Sequence, residues 1–525
     1  EGAGRKKKGR KTGEELDSPE PRPVKSVKID LENIPERVLA FPVEEGRYGR
    51  VEGMADKVLF TSYPVVGSLG SKPSSESEPG GRGTLVSFNL KTRERKDILS
   101  RVSSFRLSGD GRTLVCLSGR RLRVLPAGKK PEEKSVNRPG RKSGWIDLAR
   151  IRPAILPGRE WEQMYREAWR LMRDQFWSED MSGVDWSEVS RQYLPLLERV
   201  GTRAEFSDLL WEVQGELGTS HACESGGEYP GEPDHTLGLL GADFEYDPET
   251  GSYRIVGMLE GDSWDPDQDS PLRRPGLGLR VGDRLLALNG RRLGPDLFPA
   301  QVLVNQAGLD VQLRVIRDGQ DKSRIVSVRT LSDDTRARYR QWVAANRRRV
   351  HDLSRGRVGY LHIPNMGPQG YAEFHRGYLA EVDRPGLLVD VRFNGGGHVS
   401  PLLLEKLSRR RLAYDVQRWG QPIPYPQDSP RGAMAALTNE LAGSDGDIFS
   451  HVFKMMKLGP LVGKRTWGGV IGVWPRHRLV DGTVTTQPEF AFWFADVGWG
   501  VENHGTEPDV VVEFPPQDFA RGRDP

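Results

Sequence analysis

Gly443-Ser444-Asp445-Gly446-Asp447 stands between an apolar stretch, Ala435 to Leu441, and a helical pattern in which Ile448, Phe449, Val452, Phe453 and Met456 are apolar. A serine on a glycine-flanked strand-to-helix turn is exposed, faces a helix N-terminus and has free backbone N–H groups beside it, which suits a nucleophile. Its hydroxyl needs a base, and nine histidines and a few lysines are the candidates. His362 lies within a strand-like run, His375 follows an aromatic helical segment, His351 and His477 neighbour arginines, and His235 sits in a turn; each reads as structural or solvated. His221 differs: Gly218-Thr219-Ser220-His221 follows the helical stretch Leu209 to Leu217 in a small-residue turn that exposes its side chains. Acyl transfer also requires N–H donors aimed at the developing oxyanion, and glycine permits their close approach. Asn394-Gly395-Gly396-Gly397, directly after a buried strand ending at Phe393, supplies such a loop, although the same residues also read as a sharp strand-to-helix turn. The amide of Asp445, next after the serine, would be the second donor.

These residues must be positioned by several domains, since 525 residues exceed what one core organises. Residues 1 to 26 are charged and proline-rich without periodicity and read as disordered, with a basic run from Arg5 to Lys11. Residues 27–142 carry short β-like runs, among them Lys57–Phe60, Thr84–Phe88, Thr113–Leu117 and Arg121–Leu125, separated by turn signals as in propeller blades. Their length supplies two or three blades at most, too few to close a ring. After the basic linker Lys129 to Lys142, residues 143–234 turn helical. Trp161, Met164, Tyr165, Ala168, Trp169, Met172 and Phe176 recur at spacings of three and four, and a second helix opens at Asp185. Residues 235–332 are β-rich and resemble a PDZ domain, with Gly238-Leu239-Leu240-Gly241 as its carboxylate-binding loop and Val281-Gly282-Asp283 through Asn289-Gly290 as its central signature. Such domains bind extended peptides by strand addition. Residues 333–525 alternate helical patterns with continuous apolar runs such as Val358–Ile363 and Gly386–Val391, the mark of strands covered by helices. The fold class is therefore multidomain α/β and β: a partial β-propeller, a helical/mixed subdomain, a PDZ-like domain and an α/β sandwich core.

Composition excludes several functions. Lys and Arg total 77 against 73 Asp and Glu, interspersed, which makes no nucleic-acid footprint. Two cysteines without paired spacing argue against a disulfide scaffold or a cysteine zinc site. No apolar segment approaches a membrane span and no signal-peptide pattern opens the chain, so a soluble, cytoplasmic protein is expected. The chain opens on Glu1 rather than Met, as a piece of something longer would. Neither a GxxxxGK[ST] loop nor an HExxH motif occurs, so no ATP, metal or other cofactor is expected.

Thr219-Ser220-His221, the PDZ-like insert, Asp390 to Gly397, Gly443 to Asp447, Gly463-Lys464-Arg465-Thr466-Trp467-Gly468-Gly469 and Val501-Glu502-Asn503 occur in the order seen in the tricorn proteases, and together the six motifs resemble that family over residues 30 to 525. The resemblance implies a serine peptidase with two catalytic parts around a PDZ domain, preceded by propeller sequence. It makes Ser444 the nucleophile, His221 the general base, Ser220 and Glu502 the groups that complete a tetrad, and Gly397 and Asp445 the oxyanion amides. It also makes Asp415 the acid that selects basic residues before the cleaved bond. Related C-terminal processing peptidases use a Ser/Lys dyad, but the comparable segment here, Thr466 to Gly469, has glycine where that lysine would stand. Lys464, on the other side of the turn, is expected in solvent, which leaves His221 as base. The family further implies short peptide substrates, work downstream of a proteasome, and a homo-oligomer, a hexamer. The rival reading is a peptide-binding scaffold with a dormant site.

Overall fold

The computed structural model describes residues 31–33, 36, 40–65, 83–131, 138–229, 231, 233, 235–261 and 269–525. The expected disordered tail and its basic run lie outside these, as does part of the basic linker. The chain divides into two compact units, one of residues up to 65 and 79–146, the other of 66–78 and 147–525.

The first unit holds two antiparallel meanders. Arg47–Met54, Lys57–Tyr63, Gly83–Asn89 and Arg95–Val102 form a four-stranded sheet in sequence order, and Ser104–Leu107, Thr113–Ser118 and Arg121–Pro126 form a three-stranded one. Alternation places Leu59, Leu85, Ile98, Phe105, Leu114 and Cys116 in a shared buried cluster. Blade-like as the meanders are, no ring closes among the described residues.

In the second unit the aromatic stripe lies on the helix Pro157–Gln175, whose Met164, Tyr165, Ala168 and Met172 are buried. Asp185 caps the next helix, Trp186–Tyr193, by accepting from the Glu188 amide at 2.8 Å. Thr202 and Glu205 close a capping box on Arg203–Gly215. These helices enclose Phe206, Leu210 and Val213 and, from much later in the chain, Leu479. The strand Glu224–Ser225 pairs with Val484–Thr485, so a C-terminal segment returns to the helices that carry His221.

Residues 237–331 form an antiparallel sheet in the order Arg324–Arg329, Asp310–Ile316, Arg284–Leu288, Ser252–Met258, Ala242–Asp247 around Ile255, Leu285, Leu288, Val311 and Leu313. In the expected carboxylate-binding loop, the Gly238 amide already donates to Leu303 O (2.9 Å) and the Leu239 amide to Leu331 O (2.9 Å), so two of its donors are spent within the fold.

The last part is a parallel sheet in the order Val358–His362, Gly386–Asp390, Ala433–Thr438, Leu461–Gly463, Val510–Val511. Leu361, Val389, Ala436 and Leu461 meet Phe374, Tyr378, Leu403, Phe449 and Phe453 from the helices Pro368–Glu381, Ser400–Leu407 and Asp445–Met455 in one core. Catalytic-type loops therefore emerge at the carboxyl ends of the second and third strands, where a parallel sheet presents helix N-termini.

Candidate active site

Ser444 is the N-cap of Asp445–Met455 and holds φ 57°, ψ −123°. A non-glycine residue in this region is strained by about 1–3 kcal/mol, a cost typical of a nucleophile forced out of a sharp turn. Neighbouring glycines make the turn possible: a methyl on Gly396 would lie 2.5 Å from the Ser444 Cβ, and one on Gly446 would lie 3.0 Å from Asn394 O. Asn394 joins the two loops. Its carbonyl accepts from Gly443 N (2.9 Å), its Oδ1 from Gly396 N (2.9 Å), and its Nδ2 donates to Ile363 O (2.8 Å).

Gly397, at φ 150°, lies against Met366, where a Cβ would come within 2.1 Å of the carbonyl oxygen. The N–H groups of Gly397 and Asp445 have no acceptor among the described residues. The Asp445 carboxylate instead accepts from the Ser400 amide at 3.0 Å and from its hydroxyl, pinning the start of the helix Ser400–Leu407 to the serine turn. Burial pushes the Asp445 carboxyl above its ordinary range, against these hydrogen bonds.

His221 arrives on the turn after Arg203–Gly215, with φ 61°. Ser220 Oγ lies 2.9 Å from its Nδ1, which leaves Nε2 as the open nitrogen. Glu502 completes the chain: it accepts from Ser220 N (2.7 Å), Ser220 Oγ (3.1 Å), Thr219 Oγ1 (3.3 Å), and the amides of Val470 (2.7 Å) and Ile471 (3.1 Å). Val501, buried with Val470 and Phe494, anchors the turn that bears it. Asn503 spans from that turn to both neighbours, donating through Nδ2 to Gly218 O (2.6 Å) and through N to Gly468 O (2.7 Å). Burial pulls the His221 pKa below its ordinary value, while Glu502 pulls it back up.

The structure thus gathers Ser220, His221 and Glu502 into one hydrogen-bonded array and sets Gly396 against Ser444 and Asp445, with Gly397 next in the same loop against Met366. Other histidines are engaged elsewhere: His351 with Glu381, His362 with Tyr339 and Arg392 O, His477 with Gln175. Lys464, expected in solvent, is half-buried and paired with Glu440 (3.1 Å) and Glu513 (3.5 Å) because both acids flank its strand end. Asp415 stands apart, exposed at the end of Ala413–Asp415, a strand that among the described residues pairs only with Ile423–Tyr425.

Two contributors were not singled out from sequence. Asp447, wholly buried, accepts from the Gly468 (2.8 Å) and Gly469 (3.2 Å) amides and so hangs the 466–469 loop from the helix that Ser444 caps. Trp467 lies edge-on to the His221 ring, with centroids 5.3 Å apart. Both sit inside the motifs Gly443–Asp447 and Gly463–Gly469, but only the fold shows that their side chains face each other's loops.

A strained serine beside two amides without acceptors, at the edge of a parallel sheet, suits the acyl transfer of a serine-type peptidase, and residues 357–512 match the family model described as Peptidase family S41. Residues 157–215 match the Tricorn protease C1 domain and 238–333 the Tricorn protease PDZ domain. The chain belongs to the tricorn protease family. It is 44% identical over 505 residues to Tricorn protease homolog 1 of Streptomyces coelicolor, covering 95% of this chain and 46% of that one. It is 39% identical over 497 residues to Tricorn protease of Thermoplasma acidophilum, covering 94% and 45%. The crystal structure of the tricorn protease superimposes with a TM-score of 0.86 at 36% identity, covering 97% of this chain and 48% of that one. The chain spans about half the length of the curated relatives it matches. No helix among the described residues is long and apolar enough to cross a membrane.

Proposed function

We propose that this chain carries the catalytic site of a serine endopeptidase that cleaves short peptides. Ser444 Oγ attacks the scissile carbonyl carbon while its proton passes to His221 Nε2. The tetrahedral oxyanion takes hydrogen bonds from Gly397 N–H and Asp445 N–H. Collapse breaks the C–N bond, His221 returns the proton to the leaving amine, and water repeats the sequence on the acyl-enzyme. Ser220 and Glu502 hold the imidazole and stabilise its charged form as an aspartate does in a triad. The observation that carries this reading is the hydrogen-bonded run from Glu502 through Ser220 Oγ (3.1 Å) to His221 Nδ1 (2.9 Å), which leaves Nε2 free.

Asp415 is assigned to selecting Arg or Lys before the cleaved bond, and the peptides to the products of an upstream proteasome. The first unit is read as the end of a propeller and the protein as a homo-oligomer, a hexamer. The exposed apolar side chains of the Asp415 hairpin, Leu412 (74%), Val416 (72%) and Trp419 (86%), support assembly.

Fluorophosphonate labelling with the adduct mapped by mass spectrometry tests the reading: modification at Ser444, lost in Ser444→Ala together with peptide hydrolysis, is expected. Unchanged turnover in Ser444→Ala would overturn it, and no labelling with retained peptide binding would favour a scaffold. A preference for Arg or Lys over Phe that survives Asp415→Asn would remove Asp415 from its role.

A further inference from the structure

Trp467 holds a position that the tetrad does not require. Its amide donates to Ala442 O at 3.0 Å, which fixes its backbone beside the serine turn. Its ring lies over two glycines: a methyl on Gly443 would fall 2.8 Å from Cε3, and one on Gly469 would fall 2.2 Å from Cζ3. The same ring meets His221 edge to face, 5.3 Å between centroids at 73°. Asp447 clamps the following two amides, and Gly468, at φ 92°, packs against the Gly505 amide, so the indole stands on a fixed loop. Yet the residue remains 53% exposed. An indole wedged between the residue before the nucleophile and the ring of the base, with half its surface free, is held for contact with something outside the fold.

Its location says with what. In acyl transfer the base must deliver its proton to the leaving nitrogen, so a wall beside the base borders the first residue of the leaving chain. We infer that Trp467 is the specificity-determining surface for the residue that follows the cleaved bond, and that it favours a flat or large apolar side chain there. The inference rests on the assignment of Ser444 and His221 above. Aromatic side chains stack on or meet an indole edge to face with a gain beyond area alone, whereas glycine offers the wall nothing and a carboxylate would be desolvated against it. The same ring explains the departure from a Ser/Lys dyad: it fills the space above residue 469 that a lysine stem would need.

The test uses two internally quenched peptides, identical except for Phe or Gly directly after the cleaved bond, with the cut position read by mass spectrometry. The intact chain is expected to favour Phe roughly tenfold in kcat/KM, mainly through KM, as one apolar contact supplies. Trp467→Ala should bring the ratio close to one, and Trp467→Phe, which keeps a ring, should preserve part of it. A packing role alone would lower both substrates equally in Trp467→Phe and leave the ratio unchanged, which overturns the inference. Equal cleavage of the two peptides by the unmodified chain, with Ser444 labelled, also overturns it while the peptidase assignment stands. No cleavage and no labelling of Ser444 would take both down.

Discussion

Ser444 and His221 both have positive φ, 57° and 61°, and neither is glycine or asparagine, so each depends on its surroundings to hold a costly backbone. For His221 those surroundings also set its chemistry. Burial is the larger influence and disfavours the imidazolium; the Glu502 carboxylate opposes it and is outweighed. The neutral base therefore persists to lower pH than an ordinary imidazole, and the acid limb of kcat/KM is expected below the ordinary value of 6.5. Glu502→Gln removes the charge that raises this pKa, so the limb should move further to acid while kcat falls about 10²- to 10⁴-fold. A pH–rate series on both proteins checks this, and a limb that moves to alkaline pH in Glu502→Gln would contradict the array. At this scale the sequence was readable where chemistry restricts residue type: a serine between glycines, a histidine in a small-residue turn. It was silent on Asp447, because an acid in a helix's first turn reads as a dipole contact until its partners, the Gly468 and Gly469 amides, are brought in from another loop.

Elements explain why the site is built from turns. The sheet strands Gly386–Asp390 and Ala433–Thr438 are parallel neighbours, with Asp390 opposite Leu437, so the loops that follow them leave the same edge side by side. Asn394 then needs only to bridge Gly443 N and Gly396 N to bring the 394–397 loop against the Ser444 turn. Gly397→Ala would drive a methyl into Met366 O, and the loop must shift. The expected loss is about 10²- to 10³-fold in kcat, the value of one oxyanion donor, with little change in KM. Asp447→Ala would leave two buried amides without acceptors, at about 1–3 kcal/mol each, and should lower the denaturant midpoint while also slowing Ser444 labelling. The apolar run that holds Gly386–Asp390 was legible from sequence, since strands covered by helices need no polar alternation, although burial within it still alternates, Leu387 and Val389 buried and Leu388 half-buried. Less legible was the return of Val484–Thr485 to Glu224–Ser225, since two-residue strands carry no periodicity.

At the scale of the second unit, the residues proposed for catalysis come from segments far apart in the chain: His221 from the helical part, Ser444 from the parallel sheet, and Glu502 from beyond the segment that returns. A buried polar knot ties the first of these, the helical part, to the returning segment. Arg203, at the start of the helix that leads to His221, binds Asp481 (2.8 Å), Thr483 Oγ1 (2.6 Å) and Glu224 (3.5 Å), and all four residues are buried or nearly so. Replacing Arg203 by Met would leave Asp481 and Glu224 as uncompensated buried charges, costing about 3–5 kcal/mol. The sequence offered no sign of this pair because its members are 278 positions apart and each reads alone as a surface charge. Since the knot ties the helices to the returning segment rather than to the sheet, the damage should fall on the base before the nucleophile's own domain. In a urea titration of Arg203→Met, fluorophosphonate labelling of Ser444, which needs His221 in place, is expected to disappear at lower urea than the far-ultraviolet circular dichroism of the sheet and its helices. Coincident loss of the two signals would mean that the helical part and the sheet melt as one body, and that Arg203 stabilises the whole unit rather than the register of its base.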